Sequence, residues 1–334
     1  MRHLFSSKMD FLSAERVMQI SLAGAIELLK QGEVVAIPTE TVYGLAADAR
    51  NELAIAKIYA TKERPANNPL IVHIADSAQV TDWASEFPPL AQKLAQTFWP
   101  GPLTLVLPAR EDVPSAVRAG EPTVALRVPS HPLTRQLLAE SGLGLAAPSA
   151  NKYTQLSPTT AAHVTSSLGE HIPVMDGGAC QVGIESTIVS IAGENWQLLR
   201  PGMIDAEAIA RIAGRPASQS VAHTPKAPGQ HLLHYSPRTP CVLFSSRPAL
   251  ADYAADKPEA AALLFGDNAT DIKTIVTLPA DPATAAEQLY AALHILDAAQ
   301  ASVILIESPP DTPAWAAVRD RLQRAAYQPE AQDD

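Results

Sequence analysis

The sequence has few cysteines, few aromatic residues and no long hydrophobic run. Its 334 residues include two cysteines, Cys180 and Cys241, which lie far apart and in no metal-binding spacing, so neither a disulfide framework nor a structural zinc site is indicated. No apolar stretch approaches the roughly 18 residues that a membrane span needs, and the start of the chain lacks the apolar core of a signal peptide. These absences predict a cytoplasmic protein with reduced thiols and no membrane partner.

Familiar nucleotide-binding and hydrolase motifs are also missing. The sequence contains no GxxxxGK[ST], no HExxH and no GxSxG. Residues 142–147 fit GxGxxA, but Pro148 follows where a dinucleotide-binding helix would have to continue. Any nucleotide chemistry in this chain therefore uses a less general site.

The charge balance is acidic, with 25 Lys and Arg against 35 Asp and Glu and a net charge of −10. This balance argues against a broad basic surface that grips nucleic acid. Most of the acidic excess lies in residues 240–334. The earlier part of the chain can therefore still concentrate cations in a pocket.

Hydrophobic patterning predicts two α/β domains joined by a proline-rich linker. Residues 1–214 alternate strand and helix patterns, which favours a mixed sheet, residues 215–239 form the linker, and residues 240–334 form a smaller α/β domain whose last helix begins near 311–313. The strands predicted in the first domain are 33–37, 70–74, 103–107, 124–128 and 187–191. Its predicted helices are 22–30, 52–62, 88–98, 132–140 and 158–168.

Two polar segments lie beside predicted strands. Residues 38–45 carry hydroxyl groups, and residues 62–70 carry cations. In the second segment Lys62 and Arg64 lie in a proline-containing stretch that we expect to be extended, so both side chains would point the same way and suit the oxygens of a polyphosphate. Taken alone, each segment fits a plain turn or a solvated loop equally well.

Arg127 interrupts an apolar strand, where its charge needs either solvent or a partner inside a cavity. A planar guanidinium suits a carboxylate or a phosphate. Small hydroxyl and amide residues follow other predicted strands, at 148–151, 157, 185–187 and 199–202. Each of these is uninformative alone, although residues of this kind are typical ligand contacts.

Taken together and in order, these segments resemble the YrdC-like family of threonylcarbamoyl-AMP synthases. The resemblance covers about residues 15–212. It rests on residues 38–45, 62–64, 127, 148–151 and 185–187. The linker ending in His234-Tyr235-Ser236-Pro237 and the small α/β domain resemble the longer, two-domain branch. The implied fold is a twisted mixed sheet around a concave, positively lined cavity, with a second, smaller Rossmann-like α/β domain.

The resemblance also implies a reaction. The chain would condense L-threonine, bicarbonate or CO₂, and ATP into threonylcarbamoyl-AMP and pyrophosphate. Mg²⁺ would arrive through the ATP phosphates, and no protein side chain is expected to bind a metal. Other proteins would pass the threonylcarbamoyl group to adenosine in tRNAs reading ANN codons, which makes tRNA an indirect partner.

Roles within the family carry over to matching positions of this sequence. Lys62 and Arg64 are expected to be catalytic, and Arg127 to hold the threonine carboxylate in a bidentate fork. The expected threonine contacts are Thr41, His73, Arg127, Ala147 and Ser186. The expected ATP contacts are Arg64, Asn68, Thr123, Ser149, Asn151, Ser157, Arg200 and Tyr235. The linker is expected to fold across the site and bring Tyr235 to ATP.

One departure and two alternatives qualify this interpretation. Related linkers often carry a basic or aromatic residue where Leu232-Leu233 stand here, which argues against an ionic role for that part of the linker. An RNA-binding module using the concave basic surface is the alternative function, and the acidic net charge weighs against it. The related carbamoyl-transfer domain of hydrogenase maturation proteins adds cysteine-rich zinc motifs, which two isolated cysteines exclude.

Overall fold

The computed structural model shows two separate β-sheets. It describes residues 17–218, 224–229, 234–266 and 272–327. The departure at Leu232-Leu233 and the start of the chain lie outside the described residues. Within those ranges, no helix combines the length and the apolar character that crossing a membrane would take.

The first sheet has eight strands in the order β1-β2-β6-β3-β5-β4-β7-β8. Its strands are β1 Val35–Ile37, β2 Gly44–Asp48, β3 Ile71–His73, β4 Leu103–Pro108, β5 Thr123–Arg127, β6 Leu145–Ala146, β7 Thr187–Ala192 and β8 Asn195–Arg200. The pairs β3–β5 and β4–β7 are parallel, and the remaining pairs are antiparallel. The prediction of a mixed sheet is confirmed.

Helices pack against this sheet, and four of them begin at side-chain caps. They are α1 Leu22–Lys30, α2 Glu52–Lys62, α3 Pro89–Phe98, α4 Ser115–Arg118, α5 Pro132–Ser141, α6 Ala161–Leu168 and α7 Ala206–Ala213. Ser21, Asn51, Thr160 and Asp205 each accept a hydrogen bond from a backbone N–H in the first turn of a helix. The predicted spans 22–30 and 52–62 match α1 and α2.

The second sheet is parallel, in the order β11-β10-β12-β9. It consists of β9 Cys241–Phe244, β10 Ala260–Phe265, β11 Thr274–Leu278 and β12 Val303–Glu307, with helices α8 Arg247–Ala254, α9 Pro282–Ala298 and α10 Ala316–Ala325. A smaller α/β domain is therefore confirmed. The last helix starts later than predicted, because a 3₁₀ turn, Pro313–Trp315, precedes it.

The two domains touch through a shared apolar cluster. Val42 and Ile184 of the first domain pack in the same buried cluster as Leu289 of α9. Gly183 makes the closest approach, since a Cβ at this position would lie 2.3 Å from the carbonyl oxygen of Glu287 on α9. Its φ of 76° is also unfavourable for other residues. A glycine is therefore required where the domains meet.

We expect Gly183→Ala to destabilise the protein more than Gly214→Ala. Both glycines have positive φ, but a Cβ at Gly214 would meet no described atom within 4 Å. Both variants lose about 1–2 kcal/mol from backbone strain, and Gly183→Ala loses about 1–3 kcal/mol more because the new methyl group overlaps the α9 backbone. Urea unfolding of the two variants measures the difference, and equal losses would contradict a close contact between the domains.

Candidate active site

Nine of the residues expected to bind substrates line one buried cavity between the eight-stranded sheet and the linker. The cavity has a volume of about 50 Å³. The expected residues in its wall are Thr41, Arg64, His73, Arg127, Ala147, Ser149, Ser186, Arg200 and Tyr235. The fold therefore brings expected threonine contacts and expected nucleotide contacts to the same place.

Arg127 forms a buried ion pair with Glu40 in the loop between β1 and β2. Its Nη2 lies 2.7 Å from Glu40 Oε1, and its Nε donates to the Gly101 carbonyl at 3.3 Å. Burial raises the pKa of Glu40, but the charge and hydrogen bond of Arg127 outweigh this effect, so the pKa is lowered and the carboxylate stays ionised. Glu40 thus fixes the orientation of Arg127 and leaves its other N–H groups for a ligand.

His73 ends β3 beside Arg127 on the neighbouring strand β5. Burial, and then the charge of Arg127, lowers the pKa of His73 to about 3, so its imidazole is neutral at ordinary pH. Its Nδ1 is buried and has no hydrogen-bond partner among the described residues. A buried polar atom without a partner is unfavourable, so a ligand group that hydrogen-bonds to Nδ1 would stabilise this site.

Lys62 and Arg64 do not form the extended pair that the sequence suggests. Lys62 is the last residue of α2, and Glu63 adopts a left-handed conformation that turns the chain. The Lys62 Nζ donates to the carbonyls of Ser149 and Asn151 at 2.6 and 2.5 Å. Arg64 instead reaches the cavity wall. The expectation of an extended segment is wrong at Lys62, because helix α2 continues through this residue.

The other expected nucleotide contacts lie outside the cavity lining. Asn68 is buried beside Arg64, whose Nη2 is 3.5 Å from its carbonyl oxygen. The side-chain amide of Asn151 donates to two carbonyls of its own loop. Thr123 begins β5 and lines a separate surface groove. Their contact with a nucleotide stays a prediction, as does that of Ser157.

Ser157 belongs to a hydrogen-bonded group centred on Glu185. Its hydroxyl donates to Glu185 Oε1 at 2.5 Å. Arg321 of α10 donates to Glu185 Oε2 at 2.8 Å, and the Tyr290 hydroxyl of α9 donates at 3.0 Å. Burial alone would raise the pKa of Glu185, but the charges of Arg321 and Arg200 outweigh burial and lower the pKa to about 2. The carboxylate is therefore ionised and orients the Ser157 hydroxyl.

Arg200 ends β8 and is held by the backbone. Its Nε and Nη2 donate to the Ser186 carbonyl at 3.1 and 2.9 Å, and its Nη1 donates to the carbonyl of Pro228 in the linker at 3.2 Å. The Ser186 hydroxyl lies 2.8 Å from the hydroxyl of Thr104. These contacts connect the ends of β7 and β8 with the linker.

The linker occupies the cavity mouth. Ala227 packs in an apolar cluster with Ile71 and Ile188 of the sheet. Tyr235 is buried to 1% exposure, and the Arg321 guanidinium carbon lies 5.0 Å from its ring centroid. His234 packs at a ring distance of 4.1 Å from Tyr235. The described parts of the linker thus cover the site.

Seven residues of the cavity wall had no role assigned from the sequence. They are Val42, Ile71, Pro148, Glu185, Pro228, Gly229 and His234. Glu185 and His234 stand inside the motifs that carry the family resemblance, so their position in the motif was an available signal. Val42 offers no comparable signal, because a single valine in a loop fits many environments.

Comparisons with known proteins agree with this geometry. A family model described as telomere recombination matches residues 27–202, and one described as the C-terminal domain of threonylcarbamoyl-AMP synthase matches residues 204–327. Threonylcarbamoyl-AMP synthase of Bacillus subtilis is 41% identical over 320 residues, covering 91% of this chain and 92% of that protein. Threonylcarbamoyl-AMP synthase of Pyrococcus abyssi is 36% identical over 325 residues, covering 93% of this chain and 96% of that protein.

Solved structures extend the similarity to both domains. The structure of P. abyssi Sua5 complexed with L-threonine matches with a TM-score of 0.84 at 35% identity, covering 92% of this chain and 96% of that one. A variant of the same protein matches with the same TM-score over 93% of this chain. The chain therefore belongs to the two-domain threonylcarbamoyl-AMP synthase family, whose members are enzymes that make an adenylate from ATP.

Proposed function

We propose that this enzyme condenses L-threonine, bicarbonate or CO₂, and ATP into threonylcarbamoyl-AMP and pyrophosphate. The observation that carries the proposal is one cavity whose wall contains Arg127 and His73 together with Arg64 and Arg200. One pair suits an amino acid, and the other suits a polyphosphate. Both substrates would then lie within reach of one another.

The amino-acid end is formed by Arg127, His73 and Thr41. The free N–H groups of Arg127 suit the threonine carboxylate, and the unpartnered Nδ1 of His73 suits a polar group of the same substrate. Thr41 adds a hydroxyl that is 2.8 Å from that of Thr39. The P. abyssi relative was solved with L-threonine, which supports this choice of substrate.

The nucleotide end is formed by buried cations. Arg64 Nε is buried without a hydrogen-bond partner among the described residues, and Arg200 lies in the same wall. Buried guanidinium groups stabilise negative charge strongly because little water competes with them. We propose that they hold the ATP phosphates and stabilise the charge that develops on the phosphoryl oxygens.

Mg²⁺ is proposed to enter with ATP rather than through a protein site. Among the described residues, no three His, Cys, Asp or Glu side chains are grouped to hold a metal. The two carboxylates nearest the cavity, Glu40 and Glu185, are already bonded to Arg127 and Arg321. This donor set fits a cation held mainly by substrate phosphates and water.

The chemistry requires two bond-forming steps. The threonine amine forms an N–C bond with CO₂ and loses a proton, which gives a carbamate anion. A carbamate oxygen then attacks the α-phosphorus of ATP, the bond to the β-phosphate oxygen breaks, and pyrophosphate leaves with the electron pair. Because the carbamate is already anionic, the second step needs positioning and charge stabilisation by Arg64 and Lys62 more than a general base.

The linker must move before the substrates can bind. Pockets for ligands of this size measure about 300–1,000 Å³, whereas the cavity measures about 50 Å³. Tyr235 and Gly229 of the linker form part of the cavity wall and so limit its volume. We propose that the linker opens to admit ATP and closes again over it, excluding water from the carbamate and the adenylate.

The product is proposed to serve tRNA modification. Its threonylcarbamoyl group would reach adenosine in tRNAs that read ANN codons through other proteins. The acidic net charge of −10 supports an indirect rather than a direct encounter with tRNA.

Purified protein with ATP, Mg²⁺ and bicarbonate should release pyrophosphate only when L-threonine is added. The reason is that the carbamate of threonine is the nucleophile. Pyrophosphate release is measured with each substrate left out in turn, with L-serine as the matched amino acid. Release that does not depend on an amino acid would overturn the proposed reaction.

Arg127→Ala should weaken threonine binding by about 1.5–3 kcal/mol, the range for a hydrogen bond to a charged group, while ATP binding changes little. Arg110→Ala is the matched control, because Arg110 is half-exposed and pairs with Asp112 on the surface. Calorimetric titration of each variant with each ligand measures the effect. Equal losses for both ligands would make Arg127 a general structural residue.

Tyr235→Ala should lower kcat/KM for ATP. Loss of a fully buried aromatic side chain at a binding site costs about 2 kcal/mol, or roughly 30-fold. Tyr253→Ala is the control, since Tyr253 is 39% exposed on α8. If both variants keep full adenylate formation, the linker is a passive connection between the domains.

A further inference from the structure

Arg321 is a fully buried arginine of the second domain that bonds to first-domain residues beside the cavity. It lies on α10, and its side chain has 0% exposure. Its Nε donates to Glu185 Oε2 at 2.8 Å, its Nη2 to the Glu185 carbonyl at 3.3 Å and its Nη1 to the Pro201 carbonyl at 3.0 Å. One guanidinium therefore joins three acceptors on two segments of the first domain.

Each segment that Arg321 holds is adjacent to an expected ligand contact. Glu185 precedes Ser186, which is expected to bind threonine. Pro201 follows Arg200, which is expected to bind ATP. Arg321 therefore fixes the start of β7 and the end of β8 at the two places where the substrates would meet them.

A second connection runs through the Glu185 carboxylate to Ser157. Glu185 Oε1 accepts a hydrogen bond from the Ser157 hydroxyl, and the hydroxyl of Tyr290 in the second domain donates to the same carboxylate. His294 of α9 also lies 3.2 Å from the Ser157 carbonyl oxygen. Since the hydroxyl proton is committed to Glu185, the Ser157 oxygen can only accept a further hydrogen bond. The second domain thus sets the direction of a hydrogen bond in the first.

Stability alone is a weak reason for this arrangement. A buried ion pair is often no more stabilising than apolar side chains of similar volume, because removing both charges from water is unfavourable. The Arg321–Glu185 pair instead bonds to Ser157 through the Glu185 carboxylate, and Arg321 holds the residues next to Ser186 and Arg200 in the chain. Its geometry favours positioning of these side chains over stabilisation.

We propose that Arg321 is a positioning residue for nucleotide binding, through which the second domain completes the active site of the first. The proposal rests on the proposed function, because it takes Ser157 and Arg200 as ATP contacts. Arg321 acts through Glu185 and Pro201 and touches neither substrate itself.

Four variants test the role of Arg321. Arg321→Met removes the charge and keeps the length, Arg321→Lys keeps the charge with fewer donors, and Arg321→Met with Glu185→Gln removes both charges. Arg319→Met on the same helix is the control, because Arg319 pairs with Asp311 of its own domain. The dissociation constant of ATP is measured calorimetrically on each full-length variant, and thermal unfolding is followed in parallel.

Arg321→Met should weaken ATP binding roughly tenfold or more, the effect of losing a hydrogen bond to a charged group, and Arg319→Met should change it less than twofold. Arg321→Lys should recover part of the affinity. The double variant should be more stable than Arg321→Met, since it leaves no unpaired charge, yet still bind ATP weakly. If Arg321→Met does not fold, the double variant and Arg321→Lys give the answer.

Two results would overturn the proposal. One is wild-type ATP affinity in folded Arg321→Met with only the melting temperature reduced, which would make Arg321 structural. The other is full recovery of ATP affinity in the double variant. That result would mean that the unpaired Glu185 carboxylate, and not the loss of Arg321, weakens ATP binding in Arg321→Met. Pyrophosphate release by the wild type is measured alongside. A wild type that binds ATP without forming adenylate refutes the proposed reaction, while the affinity series still decides the role of Arg321.

Discussion

The active site depends on an imbalance of buried charge. Two buried carboxylates, Glu40 and Glu185, stand among a larger group of buried cations. These cations are Lys62, Arg64, Arg127, Arg200 and Arg321. Burying a charge is unfavourable unless polar groups compensate it, so the cations without a carboxylate are bonded to backbone carbonyls. The loops around the cavity lie where those carbonyls can reach the cations, and the surplus positive charge suits a polyanionic substrate.

Many helices and strands of the first domain could be predicted from the sequence, because their capping residues and hydrophobic patterns are clear. The capped helix α1 and the apolar strands β5 and β7 each have a clear periodicity, and they appear within a residue or two of the predicted bounds. Strands β2, β6 and β8 were missed. Strand β2 begins inside the polar segment 38–45, β6 has two residues, and β8 has half-exposed side chains that give little hydrophobic contrast.

The site could be predicted as a set of residues but not as a geometry. The order of motifs identified Arg64, Arg127 and Arg200, and all three line the cavity. The direction of Lys62 could not be predicted, because its Nζ bonds to the carbonyls of Ser149 and Asn151, which are distant in the sequence. Arg321 gave no signal at all, since its partner Glu185 is 136 residues away and belongs to another domain. Contacts at such separation follow from packing rather than from any local pattern. The boundaries predicted at 214 and 239 stay a prediction.

The way the linker covers Arg200 has a consequence for encounters in a crowded cell. With Pro228 bonded to its guanidinium and Tyr235 buried beside it, this cation has almost no surface that a passing polyanion could touch. What such a molecule meets from a distance is the outer surface of a chain with a net charge of −10. The Arg200 guanidinium is thereby shielded from bulk RNA and free polyphosphates, so we expect selectivity to begin at the linker, before a substrate reaches this cation.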